Sequence, residues 1–273
     1  MSERAAAPAT KVGGVRNLIL AAGVVLLLAG VALVAAGPVL FRAGSLDLET
    51  ATAGLGQAAF YAFAAAGIAG LAGILFSLPA KSHRGAIVGV LVLVAAGMGA
   101  GTLFSQTVTR GQFPPIHDVQ TDWGQPVAFT ERTLQDREAA GAVRIRDDAS
   151  IPQGEGKWAG KSFAAAQGEF YRDLKPLFVD AAPADATVAA AEAAKRLGWD
   201  VMLSDPPAGV MEAVHHTRWY GLTADISVRV VPDGEGSRID ARSTSRIAGP
   251  DMGANASRVT QLLGDIAFAL RGT

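Results

Sequence analysis

The chain is predicted to be a membrane-anchored α+β protein: three transmembrane helices, then a two-layer sandwich of a mainly antiparallel sheet with two covering helices, in the order β-α-β-β-β-β-α. Three observations lead there. Three long uncharged runs crowd the first 104 residues, the remainder holds most of the charge, and after Tyr171 apolar residues recur first at strand and then at helix spacings.

The uncharged runs are Asn17–Phe41, Thr50–Ala80 and Gly85–Thr109, each bounded by charged residues. Each exceeds the roughly 20 residues that a helix needs to cross the hydrocarbon core. Spans are predicted near 17–41, 55–78 and 85–104, within an anchor of residues 1–110. The many Gly and Ala residues would weaken a soluble helix, but an unpaired amide in lipid is so costly that the helix holds. Arg4, Lys11 and Arg16 precede the first span, Lys81 and Arg84 join the second to the third, and only Arg42 lies in the other loop. This asymmetry predicts a cytoplasmic amino terminus and a carboxy-terminal domain on the opposite side. Cleavage of the first span as a signal would leave that domain on the same side.

No Asp, Glu, Lys, Arg or His lies inside the runs, so no proton relay, ion path or transporter site is indicated. Gly85, Gly89, Gly97 and Gly101 on the third span, and Gly67, Gly70 and Gly73 on the second, allow close helix approach, either within the bundle or against a partner's helices.

Of 24 Lys and Arg, six fall in residues 1–104, as do three of 25 Asp and Glu, leaving 18 against 22 after Phe104. A mildly acidic domain is a poor nucleic-acid binder. Cysteine is absent, which removes disulfides, thiolate zinc sites and a cysteine nucleophile. Residues 111–169 show little periodicity and read as an extended arm, with a short helix possible near Pro126–Ala140.

Residues 170–273 form the predicted α+β domain. Leu174–Val179 reads as a strand and Pro183–Leu197 as a helix, with Pro183 in its first turn and Gly198 closing it; Val188, Ala191 and Leu197 share a face, and Glu192 can reach Arg196. Strands follow at Trp199–Leu203, Met211–Trp219, Ile226–Val230 and Ile239–Ser245, the last two joined by a turn at Pro232–Gly234. Val259, Leu262, Leu263, Ile266 and Leu270 mark one face of a closing amphipathic helix. This order of elements is similar to that of helix-grip domains.

Four blocks, PPIHDVQTD at Pro114–Asp122, AAKRLGWDV at Ala193–Val201, TRWYGLTADISVRV at Thr217–Val230 and SRIDARSTSRIAGPDMGANASRV at Ser237–Val259, together resemble the bacterial family of domain of unknown function 1499. The resemblance spans about Phe113–Leu270 and implies hydrophobic amino-terminal segments and a bacterial inner (plasma) membrane. It implies no catalytic residue and no cofactor. His215 and His216 depart from the family's pattern.

GEGKWAGKS at Gly154–Ser162 mimics a phosphate loop, but its first required glycine is replaced by Glu155 and no strand precedes it, so no nucleotide is expected. His215 and His216 are neighbours on a strand, point to opposite faces and cannot share a metal. His117, Asp118 and Asp122 are candidates for acid–base chemistry or metal binding; a turn-capping Asp and an anchoring His account for the same residues. Arg218, Arg229, Arg238, Arg242 and Arg246 are predicted to project from the outward sheet face among Glu212, Asp225 and Asp240, as a solvated charge ladder or as a receiver of anionic groups. Asp251, Gly253, Asn255 and Arg258 shape the start of the last helix.

These readings converge on a membrane-anchored, non-catalytic binding or assembly module facing the periplasm or the exterior. The Arg-rich face and the Pro114–Asp122 segment are its expected contacts with a membrane-protein or envelope partner. Charge reversal at Arg242 and Arg246 is then expected to weaken capture without unfolding the domain. The alternatives are binding of a lipid or small apolar ligand between sheet and helices, and a hydrolase built on His117, Asp118 and Asp122. No cofactor, metal or nucleotide is expected.

Overall fold

The computed structural model describes residues 7–79 and 81–271; Arg4, one of the orienting cations, and Ala80, the end of the second run, lie outside them. The chain divides into two compact units, Met1–Thr109 and Arg110–Thr273.

The first unit is the anchor. Helices α1 (Ala7–Arg42), α2 (Leu55–Ser77) and α3 (His83–Arg110) carry the three predicted spans, and a π-helical turn at Thr50–Gly54 leads into α2. The helices outrun the predicted spans, since α3 continues past Phe104 to Arg110. Large apolar side chains such as Leu18, Ile68 and Met98 stay exposed along the bundle, as lipid-facing positions do. The glycines serve two purposes. A Cβ on Gly70 would come within 2.8 Å of the Gly89 carbonyl oxygen, and one on Gly89 within 2.7 Å of that of Gly70, so here the α2 and α3 backbones touch. Gly97 and Gly101 have no atom within 4 Å of such a Cβ. Gly89→Leu is therefore expected to destabilise the anchor by about 1–3 kcal/mol, because neither backbone can give way, while Gly97→Leu leaves it unchanged. Thermal unfolding of the two variants in detergent checks this, and equal midpoints would refute it.

The second unit contains the expected element order. Strands β2 (Leu177–Val179), β3 (Asp200–Asp205), β4 (Val210–His216), β5 (Thr223–Asp233) and β6 (Gly236–Ser245) alternate with helices α6 (Pro183–Arg196) and α7 (Ala254–Leu270) as predicted. Residues 111–169, expected as an extended arm, add β1 (Asp118–Gln120), α4 (Glu131–Ala139) and α5 (Phe163–Phe170) and belong to the same compact unit. The sheet is antiparallel throughout, in the order β1-β6-β5-β4-β3, and β2 shares the outer edge of β6 with β1. The GKW segment of the false phosphate loop forms a single 3-10 turn.

Alternation sorts the strands into two faces. Met211, Ala213, Ile226, Val228, Ile239 and Ala241 are buried in one core with Val259, Leu262 and Ile266 of α7. α6 contributes alanines, Ala186, Ala190, Ala193 and Ala194, all with zero exposure, and small side chains let its axis lie close to the sheet. Val188, expected on this face, is 47% exposed, and Glu192 pairs with Lys195 at 2.7 Å rather than with Arg196. Pro183 and Gly198 play their predicted roles, Gly198 with a left-handed φ of 76°. The free edge of β1 is closed by Gln167 of α5, whose amide accepts from the Gln120 N–H at 3.1 Å and donates to the Gln120 carbonyl at 2.6 Å. That pairing leaves no bare strand edge at β1.

Candidate functional site

The sheet face opposite α6 and α7 carries the predicted ladder. β6 presents Arg238, Asp240 and Arg242, with Arg246 one residue past its end, β5 presents Asp225 and Arg229, and β4 presents Glu212, with Arg229 directly across from Asp240. This face was expected to be solvated, and the structure corrects that. Asp225 and Asp240 have zero exposure and Arg242 and Glu212 have 2%, because residues 121–147 lie over them. The cover holds the charged side chains through polar contacts and buries its own Val127 and Phe129.

Arg242 sits at its centre. Its Nε and Nη2 donate to the two oxygens of Asp118 at 3.0 and 2.5 Å, and its Nη1 donates to the Val127 carbonyl at 3.1 Å and to Asp147 at 2.8 Å. Burial alone would lower the basicity of this guanidinium, but the Asp118 and Asp147 carboxylates more than reverse that. Asp225 accepts from Arg246 at 2.7 and 2.9 Å and from Arg137 of α4. Asp240 takes Arg229 at 2.9 Å, Arg238 at 3.1 Å and the Thr121 hydroxyl at 3.1 Å. Glu212 accepts from the Thr130 N–H and hydroxyl and from the Thr133 hydroxyl, which pins the start of α4. Buried charges are tolerated only when paired and hydrogen-bonded, and here cation and carboxylate meet each other's needs.

The other candidates part company. His117 stands in the bend just before β1, and Asp118 is the first residue of that strand. His117 meets Phe163 edge-on at 5.1 Å, while Asp118 is held by Arg242 and Asp122 by Arg238. Among the described residues no three His, Cys, Asp or Glu side chains come together to hold a metal. His215 packs beside Trp199 at 6.1 Å, and His216 bonds the Thr223 hydroxyl at 3.0 Å. Arg218 is not on the ladder: β4 ends at His216, and Arg218 stands exposed in the following turn with no hydrogen bond or ion pair to another described residue.

A cavity of about 180 Å³ opens beside His117, Asp118, Val143, Arg144, Ser150 and Phe163. Arg144 is exposed there and pairs with no described residue. On the α7 side, Asn255 donates to the His117 carbonyl and Ser245 hydroxyl, both at 2.9 Å, and accepts from Ser243 at 2.7 Å. Asp251 receives the N–H groups of Gly253 at 2.9 Å and Asn255 at 2.7 Å, in the capping role expected of it, and its carboxyl is pushed up by burial.

Burial also holds the His117 imidazole below its ordinary 6.5, against the pull of Asp118 and Asp251. The folded state thus prefers neutral His117, the unfolded chain binds the proton first, and stability falls as the pH drops through the ordinary value. The unfolding midpoint is expected to fall between about pH 7.5 and about pH 5.5, and to fall less in His117→Gln. Identical losses in both proteins would contradict this.

Sequence reasoning missed Arg137 and Gln167. Arg137 had a readable signal, since Thr130, Thr133 and Arg137 recur at helical spacing as one polar stripe. Gln167 had none.

Fold and network together define a membrane-anchored α+β domain whose charged sheet face is neutralised internally. Residues 118–266 match the family described as protein of unknown function (DUF1499), and the chain belongs to that family. No curated protein matches it.

Proposed function

We propose that this is a non-catalytic binding or assembly module of the bacterial inner membrane, with a cytoplasmic amino terminus and the α+β domain on the periplasmic or extracellular side. The observation that carries the reading is the closed ion-pair layer. The carboxylates Asp118, Asp225 and Asp240, which a reaction would need free, each bind arginines inside the fold. The orientation rests on the excess of Lys and Arg flanking the predicted cytoplasmic side.

Of the sequence's contact candidates, the ladder now serves the scaffold and Arg218 keeps an exposed guanidinium. Half of the glycine ridge is also open. Gly85 and Gly89 are filled by their own bundle, whereas Gly97 and Gly101, one turn apart, face open space suited to a partner's helix. Native mass spectrometry of the full-length protein, extracted in mild detergent, tests this. A stoichiometric membrane partner lost in Gly97→Leu, with stability retained, supports the reading. A preparation that carries neither protein nor lipid nor metabolite overturns it.

A second reading, small-ligand binding, is favoured by the cavity at His117. Its cations, Arg144 and Arg146, fit an anionic ligand rather than the apolar one expected from sequence. A bound anion retained by the native protein and absent from Arg144→Glu would favour it over assembly.

A further inference from the structure

We infer that one end of the α+β domain is a lipid-contacting rim, centred on Trp219 and Ile247, that rests in the headgroup layer of the membrane that holds the anchor. The inference rests on the membrane anchoring proposed above and not on the assembly role. Three segments meet at this end of the sheet: the approach to β1 (residues 111–117), the β4–β5 turn (217–222) and the β6–α7 loop (246–253). The Ser245 N–H donates to the His117 carbonyl at 2.8 Å, the Arg246 N–H to that of Thr223 at 2.9 Å, and the Asp251 N–H to that of Ile116 at 3.3 Å. Residues 111–117 therefore enter the domain at the end where these loops are gathered.

The chemistry of that end fits a lipid surface. Trp219 is 74% exposed, Met252 48% and Ile247 38%, apolar groups that water does not reward. Arg218 is exposed beside Trp219 and free of any described partner. In a domain with more acids than bases, these three segments hold a single carboxylate, Asp251, and its oxygens are turned onto the Gly253 and Asn255 amides. A Trp with an adjacent Arg and no exposed anion is the composition that settles at headgroup depth. The opposite end, where the β5–β6 hairpin turns at Asp233–Gly236, exposes the carboxylates Asp233 and Glu235, with Phe178 of β2 exposed beside it.

The test uses the full-length protein in vesicles of phosphatidylcholine and phosphatidylglycerol, with and without bromine on the acyl chains. Trp158 and Trp199 are buried and Trp123 is half-buried on Gln167, and all three remain in Trp219→Phe, so the emission lost in that variant reports the rim. That component is expected to be blue-shifted and to lose most of its intensity to the brominated lipid. A Trp placed at Ile247 in the Trp219→Phe background is expected to do the same. A Trp at Phe178, paired opposite Arg238 and about 20 Å along β6 from the rim, is expected to stay unquenched. Trp219 emission that is quenched by aqueous iodide and not by bromine overturns the rim, and so does Trp219 shielded from both by a bound protein. Resistance of the same vesicles to carbonate extraction reads the anchoring separately, so the rim can fail while the anchor stands.

Discussion

Arg242→Met is expected to cost the α+β domain about 3–5 kcal/mol, a large fraction of the roughly 5–15 kcal/mol that holds such a domain folded. Asp118, 3% exposed, would keep its charge with no cation to meet it, and the Val127 carbonyl would lose its donor. Chemical unfolding in detergent, followed by tryptophan emission, measures this. A loss below about 1 kcal/mol would show that the pair behaves as an exposed one. Replacing both partners, Asp118→Leu with Arg242→Met, is expected to recover much of the loss, because the penalty comes from the orphaned charge more than from the missing attraction. Reversing charge at Arg242 and Arg246, a reasonable interface test had the face been solvated, would set carboxylates against Asp118 and Asp225 and unfold the domain.

Asp225→Asn is expected to be comparably damaging, at about 3–5 kcal/mol, with a more local signature. Two guanidiniums, of Arg137 and Arg246, converge on this carboxylate, and Arg137 is 3% exposed. Without the negative charge they repel each other, and α4, which carries Arg137, loses its hold on the sheet. Amide exchange in residues 130–143 is expected to rise toward the rate of the open chain, ahead of the core strands. Unchanged protection of α4 would show that Glu212, through Thr130 and Thr133, suffices to hold it.

The two predictions separate what could be read in the chain from what could not. Strand alternation in β4, β5 and β6 correctly placed Asp225, Arg229, Asp240, Arg242 and Arg246 on one face, and α7 buries the face its spacing marked. Alternation says which residues share a face and nothing about what lies on it. The cover, residues 121–147, shows no hydrophobic period, and its hold on the sheet comes through hydrogen bonds and ion pairs, so hydrophobic patterning was blind to it. His117, Asp118 and Asp122 looked like a site because they are close in sequence, but Asp118 and Asp122 are taken by Arg242 and Arg238 while His117 packs on Phe163.

By itself the sequence determined the properties that local chemistry dictates. Three apolar runs long enough to span a membrane, the capped helix α6, the β5–β6 hairpin and the closing amphipathic helix all follow from length, period and turn residues acting over a few positions. Tertiary structure alone decided that the carboxylates of the ladder and Arg242 are interior rather than surface groups. Arg242 and Asp118 stand 124 positions apart, and only the pairing of β1 with β6 brings them together. Opposite charges attract at the distance the fold imposes, and no short-range pattern encodes that distance.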